Sequence, residues 1–513
     1  MALALTLGLG FMASAQANAA DTPSPWFEAG RPSPLARQAL DLLTAAPSHG
    51  LSPSDYATET LRQRLGLATD DATRQRLGQD LTQALTQYLR DLRQGRVDPR
   101  QLGYRFEPPA HASFDPAALL TQALATGRLA DLPRQAAPAL PQYAELRQAM
   151  QGLQALAGHP AWAQPLAPLP RPKPKRPGKL EPGQAWNGLP RLGERLRLLG
   201  DLPNAALPAS YTGPWVDAVK GFQARHGLTA DGVIGQGTLA ALEVTPEARA
   251  QQVALNLERL RWTPLTQAPR MVVINIPEFT LRAYEVQGER IAVRHTMRVI
   301  VGKALDTRTP VFDEWMRFIE FSPYWNIPPS IARTETVPRL RRDPGYLARE
   351  NMEFVHGSGA TSTEVTPQVL ADVLAGRARI RQRPGPKNAL GEIKFTFPNS
   401  EHIYLHHTPS VGLFERTQRD FSHGCVRVQD PVALALFVLQ DMPQWTEARV
   451  REAMAAGQLQ TVKLATPVPV LIAYGTALVK QGQLHFYPDI YGHDRALAQA
   501  MAQPRALPLK ATP

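Results

Sequence analysis

The chain has 513 residues, 43% of them hydrophobic and 20% charged, with 48 prolines and 36 glycines. That length is too great for one ordinary core and that composition excludes disorder throughout, so two to four folded domains joined by turn-rich segments are expected. The formal net charge of +11 favours an anionic environment, but no zinc-finger spacing, RNA-binding run or basic heptad helix accompanies it, so nucleic acid is not an expected partner.

Residues 1–20, MALALTLGLGFMASAQANAA, form an apolar run closing on Ala17-Asn18-Ala19, the pattern of a signal peptide with its cleavage site. No basic residue precedes the run, so the expected signal extends upstream of Met1. No later stretch approaches the roughly twenty apolar residues of a spanning helix, and a soluble mature chain without a transmembrane anchor is expected. From Trp26 to Trp162 apolar residues recur at helical spacing, as in Leu35-Ala39-Leu40-Leu43 and Leu81-Leu85-Tyr88-Leu89-Leu92. The spacing predicts an all-α domain over 25–183, with a helix start at Ser52-Pro53-Ser54-Asp55. It closes on LAPLPRPKPKRPGKLEPGQ, residues 166–184, where prolines prevent helix and sheet pairing alike and leave a linker or an extended surface strap.

Residues 185–245 read as a small helical unit: Pro214 opens a helix, Val219 and Phe222 face a core, Gly227 caps the end, and Asp231-Gly232-Val233-Ile234-Gly235 turns tightly into a second helix. A further helix follows near Ala248 to Trp262. The hydrophobic period then changes to two in MVVINIPEFTLRAYEV, RIAVRHTMRVIVGK and EWMRFIEFSPYWNIP, which predicts a mainly β domain over 265–495. Residues 328–390 lapse into a helix-and-loop pattern, the expected mark of an insertion that caps a site. Strand character returns in EIKFTFP and EHIYLHHTP, and 496–513 reads as a tail. The fold class expected is multidomain α+β.

Cys425 is the single cysteine, so it staples nothing within the chain, and a lone thiol in an exported protein is an oxidation hazard. It sits in Phe421-Ser422-His423-Gly424-Cys425-Val426-Arg427-Val428, after Tyr404-Leu405-His406-His407-Thr408-Pro409. A thiol attacks a carbonyl carbon only as thiolate, and His406, His407 and His423 supply imidazoles to take its proton. Gly424 lets the backbone turn sharply, so that consecutive amides can face a developing oxyanion. His402, His406, His407, His423 and Cys425 are also zinc-ligand types, which keeps a zinc-dependent wall peptidase as an alternative. No HExxH and no CxxC is present, so no metal and no cofactor is expected.

Two resemblances sharpen this reading. The stretch VKGFQARHGLTADGVIGQGTLAAL resembles the type 1 peptidoglycan-binding domain. The His406-x-x-Pro409 and Ser422-x-Gly424-Cys425-x-Arg427 elements resemble the YkuD-type L,D-transpeptidase catalytic domain. With SPYWNIPPSIA, RRDPGYL and PGPKNALGEIKF, the chain is similar to the long periplasmic branch of that family, which joins a helical scaffold, a peptidoglycan-binding domain and a capping subdomain. The resemblance implies Cys425 as nucleophile and His406 as base, with the His407 carbonyl orienting the imidazole and the His407 side chain as second choice of base. It implies amides near Gly424 and Cys425 as oxyanion hole, completed by Tyr404. Arg427 either positions a substrate carboxylate or pins the loop, and Ser422, His423, Trp325 and Asn326 line the substrate. The implied function is 3→3 cross-linking of peptidoglycan tetrapeptide stems through a thioester, with L,D-carboxypeptidase and D-amino acid exchange as variants. The implied setting is the periplasm of a diderm bacterium, with stem peptides and glycan as partners, carboxypeptidases supplying tetrapeptides, and carbapenems acylating Cys425. A non-catalytic wall-binding scaffold is the alternative from another class.

Overall fold

Ser33 caps the helix Pro34–Thr44 by accepting from the Ala36 amide, and the helix buries Ala36, Ala39, Leu40 and Leu43 on one face. The computed structural model describes residues 24–106, 114–171, 176–203, 206–263, 268–288, 290–303, 307–505, 507 and 509, so the expected signal peptide lies outside the described residues. A hairpin of β1 (Phe27–Glu28) and β2 (Arg31–Pro32) precedes that helix. The long helix Asp71–Gln94 places Leu77, Leu81, Leu85, Tyr88, Leu89 and Leu92 in the same core. Ser52-Pro53-Ser54-Asp55 starts only a single 3-10 turn, Pro53–Tyr56, and the helix proper begins at Thr58. Among the described residues no helix is long and apolar enough to cross a membrane.

The small helical unit packs Leu189–Leu198, Pro214–Arg225 and Gln236–Glu243 around Trp215, Val219 and Phe222. Gln223 ties the turn to the helix, accepting from the Gly232 amide at 2.8 Å and donating to the Val233 carbonyl at 2.9 Å. The Pro-rich stretch is a strap and part of this core: Leu166, Leu169 and Leu180 are buried in it, and Trp186 donates to the Pro168 carbonyl at 3.0 Å. Leu180 bridges Ile234 in the turn. The boundary expected at 183 therefore cuts through a packed unit, because leucines between the prolines had apolar surface to bury.

The β domain contains β3 (Arg270–Asn275), β4 (Thr280–Gln287), β5 (Arg290–Gly302) and β6 (Phe312–Phe321). The chain then leaves for an inserted unit with β7 (Trp325–Asn326), β8 (Met352–His356), β9 (Thr361–Ser362) and β10 (Ala378–Gln382). It returns through β11 (Ile393–Thr396), β12 (Leu405–His406), β13 (Asp420–Ser422), β14 (Val426–Val428) and β15 (Gln460–Ala473), and ends with the hairpin β16 (Ala477–Lys480) and β17 (Gln483–Phe486). The nine-stranded sheet runs β13-β5-β14-β12-β11-β6-β15-β3-β4, and β4 pairs back onto β5, closing it. β12 lies parallel to β14, and β15 parallel to β3.

Two expectations about segments are corrected here. The insertion is not helix and loop alone: it carries a four-stranded sheet, β7-β10-β8-β9, over its own core of Val337, Leu340, Phe354, Leu370 and Ile380, and it begins at Trp325. Its strands are too short to show a period-two pattern. The segment read as a tail is also a docked element: the helix His493–Ala502 buries Leu497, and Leu507 and Leu509 pack against the N-terminal helical core.

This docking converges on Arg96, which bonds Asp55 at 2.7 Å with both side chains 6% exposed, and donates to the Ala500 carbonyl at 3.1 Å. Beside it, Glu258 accepts from the Val97 amide at 2.8 Å and pairs with Arg261 at 2.5 Å. Removing one partner of such a buried pair strands the other charge. Arg96→Ala should lower stability to denaturant by about 3 kcal/mol, and adding Asp55→Asn should recover part of that loss in urea unfolding. Equal midpoints for Arg96→Ala and wild type would refute this account of the docking.

Candidate active site

Period-two alternation sends Ile319, Phe321, Ile393, Phe395, Leu405, Val426 and Val428 into the core, each fully buried. Their neighbours therefore share the opposite face. Register aligns Glu320 with Lys394, Lys394 with His406, and His406 with Arg427, in one row across β6, β11, β12 and β14. One step along, Tyr404 precedes β12 as Cys425 precedes β14, and the Val426 amide donates to the Tyr404 carbonyl at 3.1 Å. Cys425 and His406 thus stand diagonally on one face, with Cα atoms roughly 8 Å apart by strand geometry.

The cysteine turn is held by its own polar groups. Gly424 has φ +118, a conformation that disfavours a side chain. The Ser422 hydroxyl donates to the Cys425 carbonyl at 2.6 Å and accepts from the Gly424 amide at 3.1 Å. Thr309 donates to the Gly424 carbonyl at 2.7 Å, and Thr307 to the Ser422 carbonyl at 3.1 Å. Ser422 is 2% exposed, so its expected role against substrate is corrected to bracing the turn: its hydroxyl is committed on both sides.

Cys425 is half-buried, with Sγ 3.7 Å from the His402 carbonyl. Burial pushes its thiol pKa up, against the Tyr404 amide-side contact and hydroxyl, Lys394 and Arg427, which favour the thiolate. His406 is buried, and its pKa falls to about 3 through desolvation and then the Arg427 charge. Its Nδ1 lies 2.5 Å from the His407 carbonyl, which fixes the proton on Nδ1 and leaves Nε2 as the basic nitrogen. Burial thus disfavours the thiolate and the imidazolium alike. The sequence pattern pointed to a ready ion pair; desolvation outweighs the nearby cations.

The other sequence candidates separate. The His407 ring turns away from this row and packs on Gly391, where an added Cβ would meet its Nδ1 at 2.6 Å. The side chain of His407 is thus corrected as second choice of base, since the ring belongs to another face. His423 is exposed and reaches Glu335 of the inserted unit at 2.8 Å. Trp325 and Asn326 form the edge strand of the inserted sheet, opposite Gln382 and Arg381, and Trp325 packs partly on that unit's core. Tyr404 stands across the β12–β14 pair from Cys425, its carbonyl accepting from the Val426 amide, and burial holds its phenol protonated far above its ordinary range. Arg427 is half-buried, with Nε lacking a hydrogen-bond partner. Among the described residues no three His, Cys, Asp or Glu side chains are grouped to hold a metal ion.

Sequence reasoning missed Glu320, Lys394, Thr309 and Asn399. The Asn399 side chain accepts from the Ile403 amide at 2.9 Å and donates to the Ile403 carbonyl at 2.7 Å, shaping the entry to β12. Alternation within EIKFTFP could have marked Lys394 as outward-facing, but only strand pairing shows which residues it joins.

With this geometry in view, residues 269–470 match the family described as the L,D-transpeptidase catalytic domain. Residues 191–242 match the "Putative peptidoglycan binding domain" and residues 18–150 the "Scaffold domain". The chain thus carries a YkuD-type L,D-transpeptidase catalytic domain, with a peptidoglycan-binding domain of type 1 ahead of it. A protein of Haemophilus influenzae described as "Putative L,D-transpeptidase" is 33% identical over 247 residues, 48% of this chain and 49% of that protein. The chain therefore spans about half the length of that relative. An L,D-transpeptidase structure from Xylanimonas cellulosilytica is 16% identical, covering 59% of this chain and 100% of that one, at a TM-score of 0.18. A fused Zn-dependent amidase/peptidase/peptidoglycan-binding domain-containing protein from Clostridium acetobutylicum is 11% identical, covering 58% and 100%, also at a TM-score of 0.18. At those scores neither solved structure carries an argument, and the assignment rests on the sequence matches.

Two outcomes test this site. Ser422→Ala leaves the buried Gly424 amide unpaired and should lower stability by about 1–2 kcal/mol; a variant as stable as wild type would return Ser422 to the substrate. The folded pKa of His406, about 3, lies below its ordinary 6.5, so the unfolded chain binds the extra proton between those values. Its contribution to stability is complete above pH 6.5 and is lost as pH falls toward 3, by about 1.4 kcal/mol per pH unit. His406→Gln should flatten the acid limb of the stability profile, measured by urea unfolding at successive pH values.

Proposed function

We propose that the chain forms 3→3 cross-links in peptidoglycan by cysteine acyl-enzyme chemistry. The observation that carries this reading is the shared outward face of Cys425, Tyr404 and His406, with the imidazole's Nδ1 proton tied to the His407 carbonyl. Cys425 attacks the carbonyl of the third stem residue as its proton passes to His406 Nε2, forming the C–S bond and an oxyanion facing the Cys425 amide, the Gly424 amide being held by the Ser422 hydroxyl instead of serving as the second donor expected from the motif. The oxyanion collapses, the bond to the fourth-position D-Ala breaks, and the imidazolium returns the proton to the leaving amine. The side-chain amine of a second stem then attacks the thioester while His406 takes its proton. The C–S bond breaks and the thiol is restored. Water in place of the amine makes the same site an L,D-carboxypeptidase, and a free D-amino acid makes it an exchange catalyst.

Arg427, with its unpaired guanidinium nitrogen on the same face, supports the carboxylate-positioning reading over the loop-pinning one. We assign water exclusion to the inserted unit, which meets the cysteine turn at the His423–Glu335 pair, because a thioester must outlast the wait for an amine. The peptidoglycan-binding domain supports stem peptides and glycan as partners and a wall-associated location, which we assign to the periplasm. Carboxypeptidases are the expected suppliers of tetrapeptide stems.

Incubation with purified tetrapeptide stems should yield 3→3 dimers or tripeptides by mass spectrometry, and Cys425→Ala should abolish both. His406→Ala should lower the rate by a factor of 100 or more, on the order of general-base losses. A carbapenem should add its mass to wild type and not to Cys425→Ala. Neither product nor adduct from reduced, folded protein would favour the non-catalytic scaffold.

A further inference from the structure

The outward row begins two strands away from the cysteine's strand. Lys394 lies 3.2 and 3.3 Å from the two carboxylate oxygens of Glu320, and the pair is sheltered, with side chains 17% and 22% exposed. Glu320 also accepts from Thr396 at 3.2 Å. The Lys394 ammonium stands 4.6 Å from the centre of the Tyr404 ring, and Tyr404 lies across from Cys425, each one residue before the paired Leu405 and Val426. A cation over an aromatic face is attracted to its electron density, and by drawing on that density it makes the phenolic O–H a better donor. A thiolate gains more from a strong donor than a thiol does.

We propose that Lys394 is a positioning residue for the transpeptidase site, clamping the Tyr404 ring and strengthening the hydrogen bond by which Tyr404 stabilises the Cys425 thiolate, with Glu320 setting how much of its charge is felt. This rests on Cys425 being the nucleophile. The charged and titratable groups facing the sulfur's surroundings are Tyr404 and His406 on the β12 side, Lys394 and Glu320 beyond them, Arg427 on the cysteine's own strand, and the His423–Glu335 pair from the inserted unit.

The test is the pH dependence of iodoacetamide alkylation of Cys425 in the full chain, read by intact mass. Lys394→Met should move the inflection upward by about one pH unit, Lys394→Arg should return it toward wild type, and Glu320→Gln should move it downward. A folded Lys394→Met with the wild-type inflection overturns the inference, as does an arginine variant that behaves like methionine. Should Lys394→Met fail to fold, the downward shift in Glu320→Gln decides: present, it supports the inference, and absent, it overturns it. Wild type that resists alkylation at every pH overturns the nucleophile assignment itself, a different result from alkylation that ignores Lys394.

Discussion

The parallel pairing of β12 with β14, Leu405 to Val426 and His406 to Arg427, is the constraint on which the site depends. Leu405 and Val426 are fully buried in the main core, so neither strand can slip by one residue without exposing them and turning Cys425 inward. Hydrophobic burial thereby fixes the position of polar chemistry on the other face. The entry to β12 is shaped by Asn399 on Ile403, and the cysteine turn before β14 is held by Ser422, Thr307 and Thr309.

The inserted unit is attached to the barrel so that its position is determined where it matters. Asn388 is buried and donates to the Pro323 carbonyl at 3.0 Å, joining the outgoing and returning chains at the root of the insertion. Three residues on, Gly391, at φ +63, leaves room for the His407 ring. That packing sets the backbone at His407, whose carbonyl orients the His406 imidazole. The root of the insertion and the tautomer of the imidazole are thus mechanically connected. The second attachment, His423 to Glu335, joins the cysteine turn to the inserted unit directly.

Much of this was legible in the residues. The amphipathic runs marked the helical regions, the change of period near residue 265 marked the barrel, and the order His406, Pro409, Ser422, Gly424, Cys425, Arg427 carried the family likeness. What escaped the sequence depends on contacts between distant segments. The strap over 166–184 offered prolines that forbid regular structure, but its burial came from Leu166, Leu169 and Leu180 finding the small unit's core. The C-terminal helix showed no strong pattern of its own and is held by Arg96 and by Arg505 against Asp91. The roles of Ser422 and His407 were misplaced for a related reason: a motif gives residue order, whereas the direction of each side chain follows from strand alternation and turn hydrogen bonds.

Burial favours the neutral forms of Cys425 and His406, and this bears on how such a site meets two opposed demands. A thiolate is the reactive species toward carbonyl carbon and toward oxidants alike. Desolvation favours the proton on sulfur and the uncharged imidazole, which favours the less oxidisable form of the thiol. In the proposed reaction ionisation coincides with attack: His406 has its Nδ1 proton committed to a carbonyl, and Nε2 accepts the thiol proton as the new C–S bond disperses the negative charge toward the oxyanion. Tyr404, Lys394 and Arg427 lower the cost of that moment without removing it. The balance between burial and these fixed donors, both set by the register of one pair of strands, decides how much of the barrier is met by the protein before substrate arrives.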